Sequence, residues 1–107
     1  MMGLDSTTGI PYMEDGLRFT WDDTKAAANL AKHGVSFAYA TRVFLDPDRV
    51  AVDASRPEDG ERRCKLVGAI GSRVFTVVVT ERDGAIRLIS ARRCNTAEAR
   101  AYGPIHP

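Results

Sequence analysis

The sequence predicts an α+β fold: an antiparallel sheet of four to five strands, preceded by two helices and followed by a short third. Three observations carry this expectation. Helical spacing and helix caps are confined to residues 22–45 and to a short stretch near the end. Segments rich in β-branched and aromatic residues fill residues 50–93. Those segments meet through short polar turns, which suits hairpins rather than long crossovers. The expected order is β-α-α-β-β-β-β-α.

The elements follow in turn. Leu17–Trp21 alternates apolar and polar positions and reads as a first short strand. Asp22 is a good N-cap for an alanine-rich helix over Asp23–His33, with Asp23 suited to its dipole and Gly34 to its end. Ala27, Leu30 and Ala31 are the expected sheet-facing side of that helix. Ser36 can cap a second helix over Phe37–Phe44, where Phe37, Ala40 and Phe44 share one stripe, and Asp46-Pro47 ends it.

Val50–Ala54 is a short strand and Ser55–Gly60 a polar connection. Arg63–Ile70 and Arg73–Arg82 flank Gly71-Ser72, a two-residue hairpin turn, and Val74–Thr80 has the composition of a central strand. Asp83-Gly84 turns the chain into a strand over Ala85–Arg92. Asn95 with Glu98 forms a capping-box signature for a last helix to about Tyr102, stopped by Gly103-Pro104.

The 107 residues fit a single domain over residues 17–103 with a tail of 104–107. Residues 1–16 lack periodicity and read as a flexible leader, with Met13 a candidate start and residues 1–12 dispensable for folding.

Net charge is +1 but unevenly spread: residues 61–107 hold nine Lys or Arg against four Asp or Glu. A cationic half points to a polyanionic substrate or an acidic partner. No stretch reaches the ~18 apolar residues of a membrane helix, no secretion signal opens the chain, and a cytoplasmic protein without membrane association is expected. Cys64 and Cys94 lack metal-ligand spacing and read as small, partly buried hydrophobes. Phosphate-binding loops, dinucleotide glycine fingerprints, zinc constellations and nucleophile elbows are all missing from the sequence, so no metal or other cofactor is expected.

Two groups of residues have chemistry to offer. Lys25, Asn29, Lys32 and His33 share one side of the first helix and could bind phosphates and carry a proton. Arg63, Arg82, Arg87, Arg92 and Arg93 lie on the strands, where guanidinium forks suit phosphate oxygens and the charge of a phosphorane. Along the last strand Arg87 points opposite Ile86 and Leu88, whereas Arg92 shares their side unless the strand bulges. Glu81 could be a base or an arginine's partner. Such a set could run metal-independent phosphodiester chemistry in a single cleft, with Arg63, Arg82 and Arg92 stabilising charge, Lys25, Asn29, Lys32, Arg87 and Arg93 binding phosphate, and either His33 or Glu81 transferring protons. A non-enzymatic module docking an acidic partner remains an alternative, as does a DNA-binding regulator, although helix-turn-helix spacing is missing.

Several segments in order resemble the BrnT toxins: Phe19-Thr20-Trp21-Asp22, Lys25, Asn29, then Lys32-His33-Gly34-Val35-Ser36-Phe37, and Val43-Phe44-Leu45-Asp46-Pro47. Arg63 and Gly68, Thr80-Glu81-Arg82, Arg87-Leu88-Ile89-Ser90-Ala91-Arg92, Glu98 and Tyr102 continue the likeness. The resemblance implies a RelE-like fold and a toxin that cleaves RNA and inhibits translation. It also implies a BrnA-like ribbon-helix-helix antitoxin as partner, through which alone DNA would be contacted. Ala99 departs from the family pattern, which places Arg there, and Arg100 stands one position later, about 100° around a helix.

Overall fold

The computed structural model describes residues 12–14 and 16–105. Within them the chain forms β1 (Tyr12–Glu14), β2 (Leu17–Thr20), α1 (Asp23–His33), α2 (Phe37–Ala40), β3 (Val50–Asp53), β4 (Cys64–Ile70), β5 (Arg73–Arg82), β6 (Ala85–Arg93) and α3 (Thr96–Tyr102). The α+β class holds, with the strands in one sheet of order β1-β2-β6-β5-β4-β3. Among the described residues no helix is long and apolar enough to cross a membrane.

Three details correct the sequence expectations. The sheet is mixed rather than antiparallel: β2 runs parallel to β6, with Phe19 opposite Ile86 and Thr20 opposite Arg87. The helical segment carries the chain from β2 across to β3 at the far edge, so β6 meets β2 only after the other strands are laid down, and in the same direction. Part of the supposed leader is also structured, since Tyr12–Glu14 pairs antiparallel with β2 as an edge strand. The dispensability of residues 1–12 falls almost wholly outside the described residues. Finally, the second helix stops at Ala40 and continues as a 3-10 turn over Thr41–Leu45. There the Thr41 hydroxyl donates to the Ala38 carbonyl, a local bond that competes with regular helix.

The caps form as expected. Asp22 accepts from the Thr24 and Lys25 amides at 2.8 and 3.2 Å, and Gly34 ends α1 in the left-handed region at φ 72°.

Cross-strand register defines two faces. Cys64 with Val79, Leu66 with Val77, and Gly68 with Phe75 point to one side. There they join Phe19, Val35, Phe37, Ala40, Val43, Leu88 and Ala91 in the core. This is the helix-covered face. Gly68 is required there, because a Cβ would stand 2.7 Å from Val43 Cγ1. Lys65 with Val78 and Val67 with Thr76 point to the opposite face, called the open face here, part of which α3 covers as Glu98 reaches Thr76 of β5 and Arg92 of β6.

The packing of α1 inverts the expected face. Leu30 is 50% exposed, and Ala27 and Ala31 are also exposed, whereas Asn29 is buried. Its amide donates to the Val35 and Ala91 carbonyls at 3.0 and 2.8 Å, and its oxygen accepts from the Ala91 amide at 3.1 Å. The β2–β6 ladder ends at Arg87, so the edge of β6 beyond it carries unpaired backbone groups; Asn29 satisfies Ala91 in place of a strand. Asn29 is therefore a docking residue for α1, not part of a phosphate-binding surface.

Candidate functional site

The open face takes its character from β6. Arg87 lies opposite Thr80 and Arg92 opposite Thr76, so both guanidinium-bearing residues stand on the same side as Lys65. Five positions separate them, and in a regular strand they would point to opposite faces. The register shifts between Val78 and Val79: Leu88 faces Val79, Ser90 faces Val78, and Ile89 is the extra residue. That bulge turns Arg92 onto the face of Arg87, with the Ser90 hydroxyl between them.

Asn29 fixes how α1 flanks this face. At about 100° per residue, Lys25 and Lys32 fall about 40–60° to one side of Asn29, and Ala26 and His33 about 40–60° to the other. Ala26 packs on the core and His33 lines a cavity with Phe75, so their side is that of the helix-covered face. Lys25 and Lys32, both exposed, thus lie on the side of α1 turned away from that face. Beside the two arginines, Thr76 and Thr80 of β5 are buried, their hydroxyls donating to Glu98 and to the Arg62 carbonyl.

Glu98 of α3 organises the Arg92 end of this face. Its carboxylate accepts from both terminal nitrogens of Arg92 at 2.8 Å, from the Thr76 hydroxyl at 2.8 Å and from the Asn95 amide at 2.9 Å, with Lys65 Nζ at 3.2 Å. The Arg92 guanidinium, helped by these donors and against the cost of burial, holds the Glu98 carboxyl far below the usual range. Asn95 completes the capping box by accepting from the Glu98 amide at 2.8 Å. At the other end of α3 the Tyr102 hydroxyl donates to Asp46, which also accepts from the Ala69 amide at 2.7 Å. Burial and the Asp46 carboxylate push Tyr102 up to about 12. Burial would raise Asp46, but bonds from Ala69, Tyr102 and Asp48 outweigh it and leave it below its ordinary value.

The remaining sequence-predicted residues go elsewhere. Arg63 and Arg82 share one acid: Glu61 lies 3.1 Å from each, and Asp59 is 3.7 Å from Arg63. Arg63 and Glu81 line a cavity at the strand ends with Cys64 and Val79. Glu81 faces Ile86 on the helix-covered side, away from Arg87. Arg93, opposite Phe75, also points to the helix-covered side, where it lines a cavity with His33. The expected single cleft is thus split. Arg87 and Arg92 share one face, whereas His33, Arg93 and Glu81 are turned to the other, Asn29 is buried, and Lys25 and Lys32 are exposed on the side of α1 turned from the core.

A family model described as the ribonuclease toxin BrnT of type II toxin–antitoxin systems matches residues 21–98. The chain belongs to the BrnT family. No individual curated protein matches it. The matched span runs from Trp21, ahead of α1, to Glu98, the third residue of α3, and contains Lys25, Lys32, Lys65, Arg87 and Arg92. As a BrnT toxin, the chain is a ribonuclease with an antitoxin partner.

Sequence reasoning missed Lys65. Its alternation with Cys64 and Leu66 marks it as opposite to the core, but nothing local signals that Glu98, 33 positions later, would meet it. Of the strand arginines, Arg87 alone is half-buried on the open face with no ion pair among the described residues.

Proposed function

We propose that this BrnT toxin cleaves RNA on the open face, by metal-independent transesterification, and so inhibits translation. The observation that carries the reading is that Arg87, which has no acidic partner among the described residues, stands on the same face as Arg92. From Thr80 to Thr76, the cross-strand partners of the two arginines, β5 advances about 13 Å, enough for a backbone segment with more than one phosphate to lie along β6.

In this reading Lys25 and Lys32 hold flanking phosphates, and Arg87 grips the scissile one by charge-assisted hydrogen bonds. The RNA 2′-oxygen attacks the adjacent phosphorus as its proton passes to water. The phosphorus–5′-oxygen bond then breaks, with water supplying a proton to the leaving oxygen. A 2′,3′-cyclic phosphate and a 5′-hydroxyl result. Arg87 and Arg92 stabilise the additional negative charge of the phosphorane. Glu98 positions Arg92 rather than acting as a base, because its oxygens already accept from Arg92, Thr76, Asn95 and Lys65. His33 and Glu81 face away and are not assigned proton transfer.

Because DNA lacks the attacking hydroxyl, a DNA strand is not a substrate. The cognate partner is a BrnA-like ribbon-helix-helix antitoxin, which supplies any contact to operator DNA. The test is incubation of the purified chain with a defined RNA in EDTA, followed by end analysis. Cleavage leaving cyclic phosphate ends, abolished by a single 2′-deoxy substitution at the cut site, is expected. Cleavage that needs an added divalent cation, or that survives the deoxy substitution, would contradict the mechanism.

A further inference from the structure

The helix-covered face carries a feature that cleavage on the open face does not use. Between the end of α1 and the start of β5 lies a cavity of about 490 Å³. Its walls combine apolar groups, Leu30, Val35, Tyr39 and Phe75, with three basic side chains, His33, Arg73 and Arg93. No carboxylate lines it among the described residues.

The surroundings extend the same pattern. Leu30 and Tyr39 are 50% and 39% exposed, and Ala27 and Ala31 continue an apolar strip along the outward side of α1. Tyr39 packs edge-on against Phe75, and the Arg42 guanidinium sits 5.3 Å from its ring centre, adding a further cation to the rim. A helix with its polar Asn29 buried and its leucine in solvent is inside out relative to an ordinary surface helix. Exposed apolar surface rimmed by like charges marks a contact for a partner of opposite charge.

We infer that this cavity anchors a segment of the antitoxin that presents an apolar side chain flanked by Asp or Glu. The inference rests on the reading of the chain as a toxin with an antitoxin partner, and it adds where that partner grips and with what chemistry. The apolar side chain enters between Leu30, Tyr39 and Phe75 while the flanking carboxylates meet Arg73, Arg93 and His33. An RNA strand is the less suitable occupant, since half of the wall is aliphatic or already engaged aromatic surface. Because the cavity and the Arg87–Arg92 pair lie on opposite faces, an antitoxin anchored here leaves the arginines of the open face to be covered by another part of its chain.

The test measures affinity between the full-length chain and its purified antitoxin for Leu30→Glu and for the double variant Arg73→Glu/Arg93→Glu. All three positions are exposed, and circular dichroism with thermal melting verifies folding; Leu30→Ser replaces Leu30→Glu should the latter fail to fold. Each variant should lose at least tenfold in antitoxin affinity while cleaving RNA, without antitoxin, at the wild-type rate. Wild-type affinity should also fall as salt rises. Unchanged antitoxin affinity in both variants would overturn the inference. So would loss of RNA binding with antitoxin affinity intact, which would make the cavity an RNA surface. Should the wild-type chain cleave no RNA, the ribonuclease reading fails, yet the antitoxin measurement still decides this one.

Discussion

Arg87 and Arg92 share one face of the sheet only because Ile89 is an extra residue in β6, opposite no residue of β5. Strand bulges re-aim side chains at a cost in ladder regularity, and they recur beside functional sites. Here the bulge gathers two arginines on one side of a strand whose free edge is held by Asn29 of α1.

The two arginines should respond differently to truncation. Arg92→Ala leaves the buried Glu98 carboxylate without its main partner, so activity and stability fall together. The stability loss should be about 1–3 kcal/mol, less than for a fully buried pair, because the Arg92 side chain is 34% exposed and Lys65 remains 3.2 Å from Glu98. Denaturant melts beside an RNA cleavage assay would separate the effects; wild-type stability in this variant would show that the pair is not structural.

Acid should weaken the attachment of α3. The folded-state value of Glu98 is depressed, so its contribution is full above the unfolded value near 4.5 and is lost as pH falls toward the folded value. Unfolding free energy should therefore drop below about pH 4.5, and Glu98→Gln should be less stable at neutral pH with a flatter acid limb. Melts of both proteins over this range are the measurement, and parallel curves would remove Glu98 as the acid-sensitive group.

Asn29→Ala should destabilise the chain by about 2–4 kcal/mol, since Val35 and Ala91 would keep buried backbone groups without partners. Amide hydrogen exchange at Ala91 would report the loss directly, and unchanged protection there would contradict the docking role.

Gly68→Ala should cost about 1–3 kcal/mol, because the new methyl group meets Val43 in the packed core. Thermal melting tests it, with Val43→Ala in the same chain expected to restore part of the loss.

Much of the architecture was legible in the sequence because caps, turns and β-branched runs are local signals. Asp22, Gly34, Asp83-Gly84 and the Asn95–Glu98 box mark element ends where the structure has them. The parallel β2–β6 pairing was not legible, since it depends on which edge remains free after β3 to β6 have paired. The outward face of α1 is not legible because its apolar residues are mostly alanines, placed there by helix propensity as readily as by burial, while the buried position is a polar residue serving an unpaired strand edge. The candidate site was half legible. Arginine and lysine chemistry was apparent from composition, but which of them share a face depended on one bulge and on the rotation of one helix.

The central claim is that the BrnT chain cleaves RNA on the open face and not on the helix-covered one. It is tested most directly by comparing RNA cleavage in EDTA by Arg87→Ala and Arg93→Ala, both on β6 and turned to opposite sides. Loss of one charge-assisted contact, worth about 1.5–3 kcal/mol, should slow Arg87→Ala at least tenfold while Arg93→Ala keeps wild-type activity. Full activity in Arg87→Ala with loss in Arg93→Ala would place the chemistry on the wrong side of the sheet for this account.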